Sequence, residues 1–322
     1  MSQLETTYLG LKLKNPVIVG SSGLTSSIDK IKEIEKQGAG AIVLKSLFEE
    51  QINYEAGSLA ETSDSPEALD YVKYYTKNNT VQEYLDLIKK AKEEVDIPVI
   101  ASINCVSAKD WVDFAKQIEN AGADALEVNV FILPNDRNAS GEKYEEIYFD
   151  LADKLKKILT IPFAFKLGSH FTNLVGFIQK LHVPGVVLFN RFYAPDIDVH
   201  HMKFVASEVF SSPSDNRDTL RWVGIVSSKI SRLDIAASTG IHDGEAVVKQ
   251  ILAGAKVVQV CSTLYKNGIS HLENILKDLE SWMDEKGFEH VDEFRGKMSY
   301  HRIEDPLIYE RSQFMKYFSS IH

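Results

Sequence analysis

The amino-acid sequence predicts an α/β protein that folds as a (β/α)₈ barrel. Eight short apolar runs rich in β-branched residues recur along the 322-residue chain, and amphipathic stretches of helical length lie between most of them. Strands that alternate with helices are typical of parallel β/α units. Because the strands are nearly continuous apolar runs and fill about 250 residues with their helices, a closed barrel explains them better than an open sheet.

The alternative architecture is a two-domain, doubly wound α/β protein that binds a dinucleotide. Such a protein carries a Gly-x-Gly-x-x-Gly turn after an early strand, where the pyrophosphate binds. No early apolar run is followed by this turn. The barrel is therefore the better prediction.

The predicted strands are short and contain few polar residues. They are 16–20, 41–44, 99–103, 125–130, 162–165, 186–189, 235–237 and 257–260. Helices are predicted from apolar residues spaced at helical intervals. They include 27–37, 81–94, 108–120, 144–159, 245–253 and 270–286.

Two connections are too long for simple β/α turns. Residues 47–80 follow the second strand and residues 191–217 follow the sixth. Both lie at the carboxyl end of the predicted barrel, where long loops are usually lids or binding loops. We expect residues 1–298 to form the barrel, and residues 299–322 to form an aromatic-rich tail that docks on the barrel or on a second subunit.

Composition and charge narrow the class of protein. With 36 Lys and Arg against 46 Asp and Glu, the net charge of −10 argues against a nucleic-acid-binding surface. No apolar run approaches the roughly 18 residues of a membrane helix, and residues 1–10 lack a signal-peptide core, so a cytoplasmic location is expected. The two cysteines, Cys105 and Cys261, have neither the number nor the spacing of a disulfide scaffold or a metal site.

Polar residues end the predicted strands, at the positions where a barrel carries its chemistry. They are Lys45-Ser46, Asn104, Asn129, Lys166, Asn190, Ser238-Thr239-Gly240 and Cys261-Ser262-Thr263. Lysines at such positions are costly to desolvate, which indicates an anion or an electron-rich ring in the pocket. Alternatively, the lysines extend to the rim and pair with Glu49 or Glu50.

The asparagines suit a planar ligand with alternating carbonyl and N–H edges, although each of them could instead cap a loop. The small residues that end the last two strands can approach and bind a phosphate, or can merely allow tight turns.

Five segments together resemble the flavin-dependent dihydroorotate dehydrogenases and the related pyrimidine-reducing domain of dihydropyrimidine dehydrogenase. They are residues 11–23 (LKLKNPVIVGSSG), 99–129, 161–167 (IPFAFKL), 253–262 (AGAKVVQVCS) and 291–298 (VDEFRGKM). The resemblance implies oxidation of dihydroorotate to orotate in pyrimidine biosynthesis, with FMN across the barrel mouth and no metal. It also implies a pyrimidine-like substrate and a homodimer.

The resemblance implies a set of FMN contacts, among which Lys166 would stabilise the anionic reduced ring near N1. The set is Ser22, Gly23, Lys45, Ser46, Asn104, Asn129, Lys166, Ser212, Thr239, Gly240, Cys261 and Ser262. Ser212 belongs to the turn that replaces the family's glycine-rich turn before the sixth helix. The implied substrate contacts are Asn129, Asn135, Asn190 and Arg191.

The sequence departs from the family at the base that takes a proton from dihydroorotate. The family has Cys or Ser there, whereas this chain has Ile132 or Leu133, depending on whether one counts from Asn129 or from Pro134, and neither side chain accepts a proton.

The candidate catalytic residues are therefore Lys45 and Ser140, with His170 as a further acid or base. Two alternatives stay open: reduction of another small planar substrate, and a flavin-binding protein without turnover.

Overall fold

The computed structural model describes residues 3–48, 66–105, 108–130, 132–191, 195–206 and 208–310. Eight parallel strands form its centre, and their bounds are β1 Val17–Val19, β2 Ala41–Val43, β3 Val99–Cys105, β4 Ala125–Val130, β5 Phe163–Leu167, β6 Gly185–Leu188, β7 Asp234–Ser238 and β8 Val257–Val260. Each strand pairs with its neighbours in the chain, and β8 pairs with β1, so the sheet closes on itself. The predicted (β/α)₈ barrel is confirmed.

Helices surround the barrel, and each of the first seven follows the strand of the same number. Their bounds are α1 Ile28–Lys36, α2 Pro66–Glu94, α3 Ala108–Asn120, α4 Gly141–Ile158, α5 Leu174–Leu181, α6 Asn216–Lys229, α7 Gly244–Ala253, α8 Ser262–Asn267, α9 His271–Lys286, α10 Val291–Phe294 and α11 Leu307–Glu310. None of these described helices has the length and apolar character needed to cross a membrane.

Helix α2 begins fifteen residues before its predicted start at residue 81. Proline at the first helical position has a backbone angle suited to a helix, and residues 67–80 contain neither glycine nor proline. The connection after β2 is therefore shorter than the predicted 47–80. A short strand, Leu47–Phe48, pairs with the end of β3, and residues 49–65, including Glu49 and Glu50, lie outside the described residues.

The long connection after β6 has secondary structure of its own. Strands Pro195–Asp198 and Lys203–Ala206 form an antiparallel hairpin, and a 3₁₀ turn, Pro213–Asp215, precedes α6. The sequence did not predict this hairpin.

A second unpredicted hairpin closes the amino-terminal end of the barrel. Its strands are Thr6–Tyr8 and Leu11–Leu13. Tyr8 is 2% exposed and packs with inward residues of the strands, such as Ile18 and Ile100. Burial, with the nearby charges of Glu127 and Asp234, raises the pKa of Tyr8 well above its ordinary value. The hairpin therefore forms an apolar plug below the barrel interior.

The described part of the tail packs on α6. The backbone N–H of Tyr300 donates to the carbonyl of Gly224 at 3.1 Å, and the ring of Tyr309 lies against Gly224, where a Cβ atom would come within 2.3 Å of it. The division at residue 298 stays a prediction, and residues 311–322 lie outside the described residues.

Candidate functional site

A cavity of about 230 Å³ opens at the carboxyl ends of β1 and β5–β8. This end of a (β/α)₈ barrel is where catalytic residues collect. Seven of the predicted site residues line it: Lys166, Asn190, Arg191, Thr239, Gly240, Cys261 and Ser262. It is therefore the candidate site.

The floor of the cavity is a buried polar cluster. Lys166 on β5 and Gln259 on β8 line the cavity, and Glu127 on β4 lies behind them at 2% exposure. The Lys166 ammonium donates to Gln259 Oε1 at 3.0 Å and lies 3.3 Å from Glu127 Oε1. Because a carboxylate accompanies it, the lysine can remain charged although it is 8% exposed.

The turn after β7 forms one wall of the cavity. Thr239 and Gly240 both have positive φ angles, 81° and 73°. A β-branched residue is strained in this region of backbone conformation, and Thr239 Oγ1 donates to the Phe189 carbonyl at 3.1 Å. A Cβ atom on Gly240 would lie 2.3 Å from the backbone nitrogen of Asn216, so only glycine fits there.

Ser211 completes this wall together with the start of α8. Its N–H donates to Ser262 Oγ at 3.0 Å, and its carbonyl accepts from Lys266 Nζ at 3.0 Å. Its hydroxyl lies 3.2 Å from His242 Nε2, and burial, reinforced by the charge of Lys266, lowers the pKa of His242. Small polar groups thus border a space suited to a phosphate, and Lys266 contacts Ser211 from outside the cavity lining.

Ser212 is not among the residues that line the cavity. Its N–H donates to Asp215 Oδ2 at 2.9 Å, and its hydroxyl lies 2.7 Å from that of Ser214. Ser212 therefore caps the 3₁₀ turn, and its neighbour Ser211 faces the cavity.

The loop after β1 contacts the thiol of Cys261, which lines the cavity. Ser22 caps the turn that begins at Gly23, accepting from the Leu24 N–H at 3.2 Å, and it also hydrogen-bonds Cys261. Burial raises the pKa of the Cys261 thiol, although Ser22 and the charge of Lys166 oppose this. The thiol is therefore protonated at neutral pH.

Strand register places three predicted residues in adjacent positions: Asn104 on β3, Asn129 on β4 and Lys166 on β5. Asn190 Nδ2 donates to Asn129 Oδ1 at 3.1 Å. Asn104 is 6% exposed, and its Oδ1 has no hydrogen-bond partner among the described residues. A buried amide oxygen without a donor favours a ligand that supplies one.

Lys45 lies away from this cavity. Its side chain is exposed and lines a separate cavity beside α1 and α2. Ser46 lines the same separate cavity as Lys45 but contacts the first one, because its hydroxyl is 3.0 Å from that of Ser21, which lines the first cavity. The Ser46 hydroxyl is also 2.7 Å from that of Ser102. The structure thus places Lys166, but not Lys45, at the candidate site.

The guanidinium of Arg191 is engaged by the connection after β6. It donates to the carbonyls of Val209 at 2.6 Å and Glu208 at 2.8 Å, and lies 3.6 Å from Asp215. Arg191 therefore fastens this connection over the cavity, and its carboxylate-binding groups are largely occupied.

The loop after β4 lies apart from the cavity. Ile132 is partly buried and lines a second cavity of about 220 Å³, together with His170 and Tyr148. Burial raises the pKa of Tyr148 to about 12. Leu133 is 55% exposed.

The polar residues predicted in this loop are exposed as well. They are Asn135 and Ser140, and Ser140 begins α4 without a capping hydrogen bond from its side chain. The structure does not bring these two residues to the first cavity.

The donor set of the first cavity fits a phosphorylated, planar cofactor. Serine and threonine hydroxyls border one end, and the buried Lys166 ammonium lies on the floor. Asn104, whose Oδ1 is unsatisfied, lies on β3 outside the residues that line the cavity. Among the described residues, no group of three metal-ligating side chains occurs.

The model of the dihydroorotate dehydrogenase family matches residues 3–283. The chain belongs to the dihydroorotate dehydrogenase family. Similar proteins include those named dihydroorotate dehydrogenase B (NAD(+)), catalytic subunit, from Thermoplasma volcanium (27% identical, covering 92% of this chain and 98% of the relative) and Methanocaldococcus jannaschii (26%, 88% and 94%). The protein of that name from Bacillus mycoides is 26% identical, with coverage of 92% and 97%.

Membership of the dihydroorotate dehydrogenase family confirms the predicted class of enzyme, a flavin-dependent oxidoreductase acting on a CH–CH bond. The structure also shows where the residues lie that replace the family's catalytic Cys or Ser. The two candidate base positions, Ile132 and Leu133, lie at the second cavity and at the surface.

Sequence reasoning missed Glu127 and Gln259, which hold Lys166 at the candidate site. A signal was present, because each is a polar residue in the middle of an apolar strand, and a buried polar group requires a partner. Ser21 and Ser211 were missed as well. They lie beside predicted residues, and nothing in their local sequence distinguishes them from those neighbours.

Proposed function

We propose that this protein binds FMN and oxidises dihydroorotate to orotate. The observation that carries the proposal is the buried ammonium of Lys166 on the floor of a strand-end cavity bordered by small polar residues. When bound, FMN supplies the two-electron acceptor for the substrate C–H bond.

The chain's own residues divide the work between binding and orientation. Thr239, Gly240, Ser211 and Ser262 would hold the phosphate, and Lys166 would face the ring with its positive charge. The hydrogen-bonded amides of Asn129 and Asn190 keep further donors and acceptors for a planar substrate.

The proton requires an acceptor other than the family base. We propose Ser140 of the loop after β4 for this role. Its side chain is exposed and lies outside the cavity in the structure, so the role requires the loop to bring Ser140 to the cavity when the substrate binds. Ser140→Ala is expected to slow flavin reduction by dihydroorotate at least tenfold and to leave reduction by dithionite unchanged. An unaltered rate would show that Ser140 is not the proton acceptor. His170→Asn, in the second cavity, tests the other candidate acid or base in the same assay.

An anaerobic absorbance titration with dihydroorotate tests the function. The purified protein is expected to be yellow, to release FMN on denaturation and to bleach with stoichiometric dihydroorotate. A protein that stays yellow with dihydroorotate and bleaches with dithionite would contradict the substrate. Release of FAD, or of no flavin, would contradict the cofactor.

The relatives' names mention NAD(+) and a catalytic subunit, and we propose that this chain also passes its electrons to a separate protein. The chain alone should then oxidise dihydroorotate for one turnover without reducing NAD⁺. Steady NAD⁺ reduction by the purified chain would overturn this proposal. A cytoplasmic location stays a prediction.

We also propose a homodimer formed through the hairpin Pro195–Asp198 and Lys203–Ala206. Ile197 and Phe204 are paired across its two strands and are 57% and 79% exposed, and Met202 at its turn is 87% exposed. A two-stranded hairpin is marginally stable alone, and such an apolar patch is typical of an interface.

Light scattering tests the dimer. The wild-type protein should have twice the 36.2 kDa mass of the chain, and Phe204→Glu should reduce it to one chain. Ile147→Glu, at an exposed apolar residue on α4, is the matched control. A monomeric wild type, or a dimer that survives Phe204→Glu, would refute this interface.

A further inference from the structure

The polar cluster beneath the cavity is unusual because it is almost wholly enclosed by the barrel. Glu127, Lys166 and Gln259 are 2%, 8% and 4% exposed. They come from β4, β5 and β8, so the barrel wall fixes the backbone of all three. Only Lys166 and Gln259 reach the cavity lining, and Glu127 contacts both of them from behind.

The three side chains form a closed triangle. Lys166 Nζ lies 3.3 Å from Glu127 Oε1 and donates to Gln259 Oε1 at 3.0 Å, while Gln259 Nε2 donates to Glu127 Oε2 at 2.5 Å. The orientation of the Gln259 amide is determined, because the reversed amide would direct its N–H groups at the ammonium. An ammonium has three donors, and the triangle uses two of them.

The geometry has an electrostatic consequence at the cavity. In a buried environment the field of an ammonium is strong, and a carboxylate at hydrogen-bonding distance cancels much of it. Glu127 lies on the side of Lys166 away from the cavity, so it reduces the positive potential there without contacting a ligand. Gln259 keeps the ammonium in place.

We propose that Glu127 is a positioning residue that, together with Gln259, fixes Lys166 at the cavity floor and weakens the positive charge that Lys166 presents to the flavin. The inference rests on the proposed function, since it assigns Glu127 an effect on the bound cofactor. In this arrangement Glu127 sets how readily the flavin accepts electrons, although it never contacts the flavin.

The two-electron midpoint potential of the flavin in the holoenzyme tests this role. Glu127→Gln preserves the shape of the side chain and removes its charge, so the reduced, negatively charged flavin should become more stable. The equilibrium constant for reduction is expected to rise at least tenfold, which is about 30 mV for a two-electron couple. Glu280→Gln, an exposed carboxylate on α9, makes the same charge change outside the barrel and should leave the potential unchanged.

A double-mutant cycle followed by thermal unfolding tests the triangle itself on the flavin-stripped full chain. Glu127→Gln leaves a buried ammonium without its partner and should lower Tm by roughly 5–10 °C. Adding Lys166→Met to it should recover most of that loss. If Glu127→Gln does not fold, Glu127→Asp replaces it. The midpoint potential should then rise, and the equilibrium constant for reduction should increase about threefold.

The outcomes separate the two claims. A flavin-loaded protein whose potential does not respond to the Glu127 variants, or additive losses in the cycle, overturns the inference and leaves the proposed function intact. A wild-type protein that binds no flavin overturns the proposed function together with the role of Glu127 at the cofactor.

Discussion

The two sides of the barrel mouth differ in how completely they are built. On the β7–β8 side, Thr239, Gly240 and Ser211 are held by hydrogen bonds and close backbone contacts. On the β4 side, Leu133 and Ser140 lie in a loop that is mostly exposed. The comparison teaches that the side proposed to bind the cofactor is well ordered, whereas the side that would perform acid–base chemistry differs from the family at Ile132 and Leu133.

The difference also separates two sources of specificity. The proposed cofactor contacts on the β7–β8 side depend on a backbone geometry that the barrel determines, and Gly240 has no room for a Cβ atom. Proton transfer relies on one side chain of suitable chemistry. A family member can therefore keep its cofactor while its substrate chemistry changes.

Restoring a base to the β4 side should produce the largest effect and would sharpen the comparison. Ile132→Cys or Leu133→Cys places a thiol at one of the two candidate positions. The better-placed variant should accelerate flavin reduction by dihydroorotate about 100-fold, since a positioned base contributes roughly 10²–10⁴. Stopped-flow absorbance measures the rate, and Ile132→Ala and Leu133→Ala are the controls without a thiol. No acceleration in either variant would show that neither position reaches the substrate and would contradict their assignment as the base positions.

Two glycines provide the next test, one on each side of the mouth. Gly240→Ala would place a Cβ atom 2.3 Å from the Asn216 nitrogen at a φ of +73°, so the flavin content per chain should fall at least tenfold. Gly141→Ala, where nothing lies within 4 Å, should raise the free energy of unfolding by about 0.5–1 kcal/mol, because alanine favours a helix. Flavin absorbance and denaturant unfolding measure both variants. Equal flavin loss would break the comparison.

The two strand-end lysines should differ in the same way. Lys166→Met removes the buried charge at the cavity and should raise the Kd for FMN about tenfold, an effect expected for a charged hydrogen bond. Lys45→Met changes an exposed side chain of another cavity and should alter the Kd less than twofold. Fluorescence titration of flavin-stripped protein distinguishes them. A similar rise of the Kd for FMN in both variants would indicate that Lys45 also contacts the flavin.

The smallest effect concerns pH. Burial lowers the pKa of His242 below its ordinary value of 6.5, so between these two pKa values the unfolded chain binds more protons than the folded one. Stability should therefore fall as pH decreases from 7 through this window and should be constant, as far as His242 is concerned, above it. The loss of Tm between pH 7.5 and pH 5 should be smaller in His242→Gln. An identical loss would show that His242 does not contribute.

Much of the barrel could be predicted because each strand is a local apolar run. The bounds of β4 and β8 agree with prediction at both ends, and the strand ends located Lys166, Thr239 and Gly240. The contact between Glu127 and Gln259 joins residues 132 positions apart, and no local pattern encodes such a pair. The two hairpins were missed because their strands, such as Thr6–Tyr8 and Pro195–Asp198, are not continuous apolar runs like the equally short barrel strands.

The hairpin that contains Tyr8 closes the amino-terminal end of the barrel, opposite the candidate site. Among the described residues, Lys166 is reached from the cavity at the mouth, and an apolar cluster that includes Tyr8 lies at the opposite end. A ligand bound at the mouth would therefore cover Lys166 and Gln259, the two residues of the polar cluster that line the cavity. Such a ligand would complete the enclosure of Lys166 and Gln259, which the barrel and the hairpin already bury on their other sides.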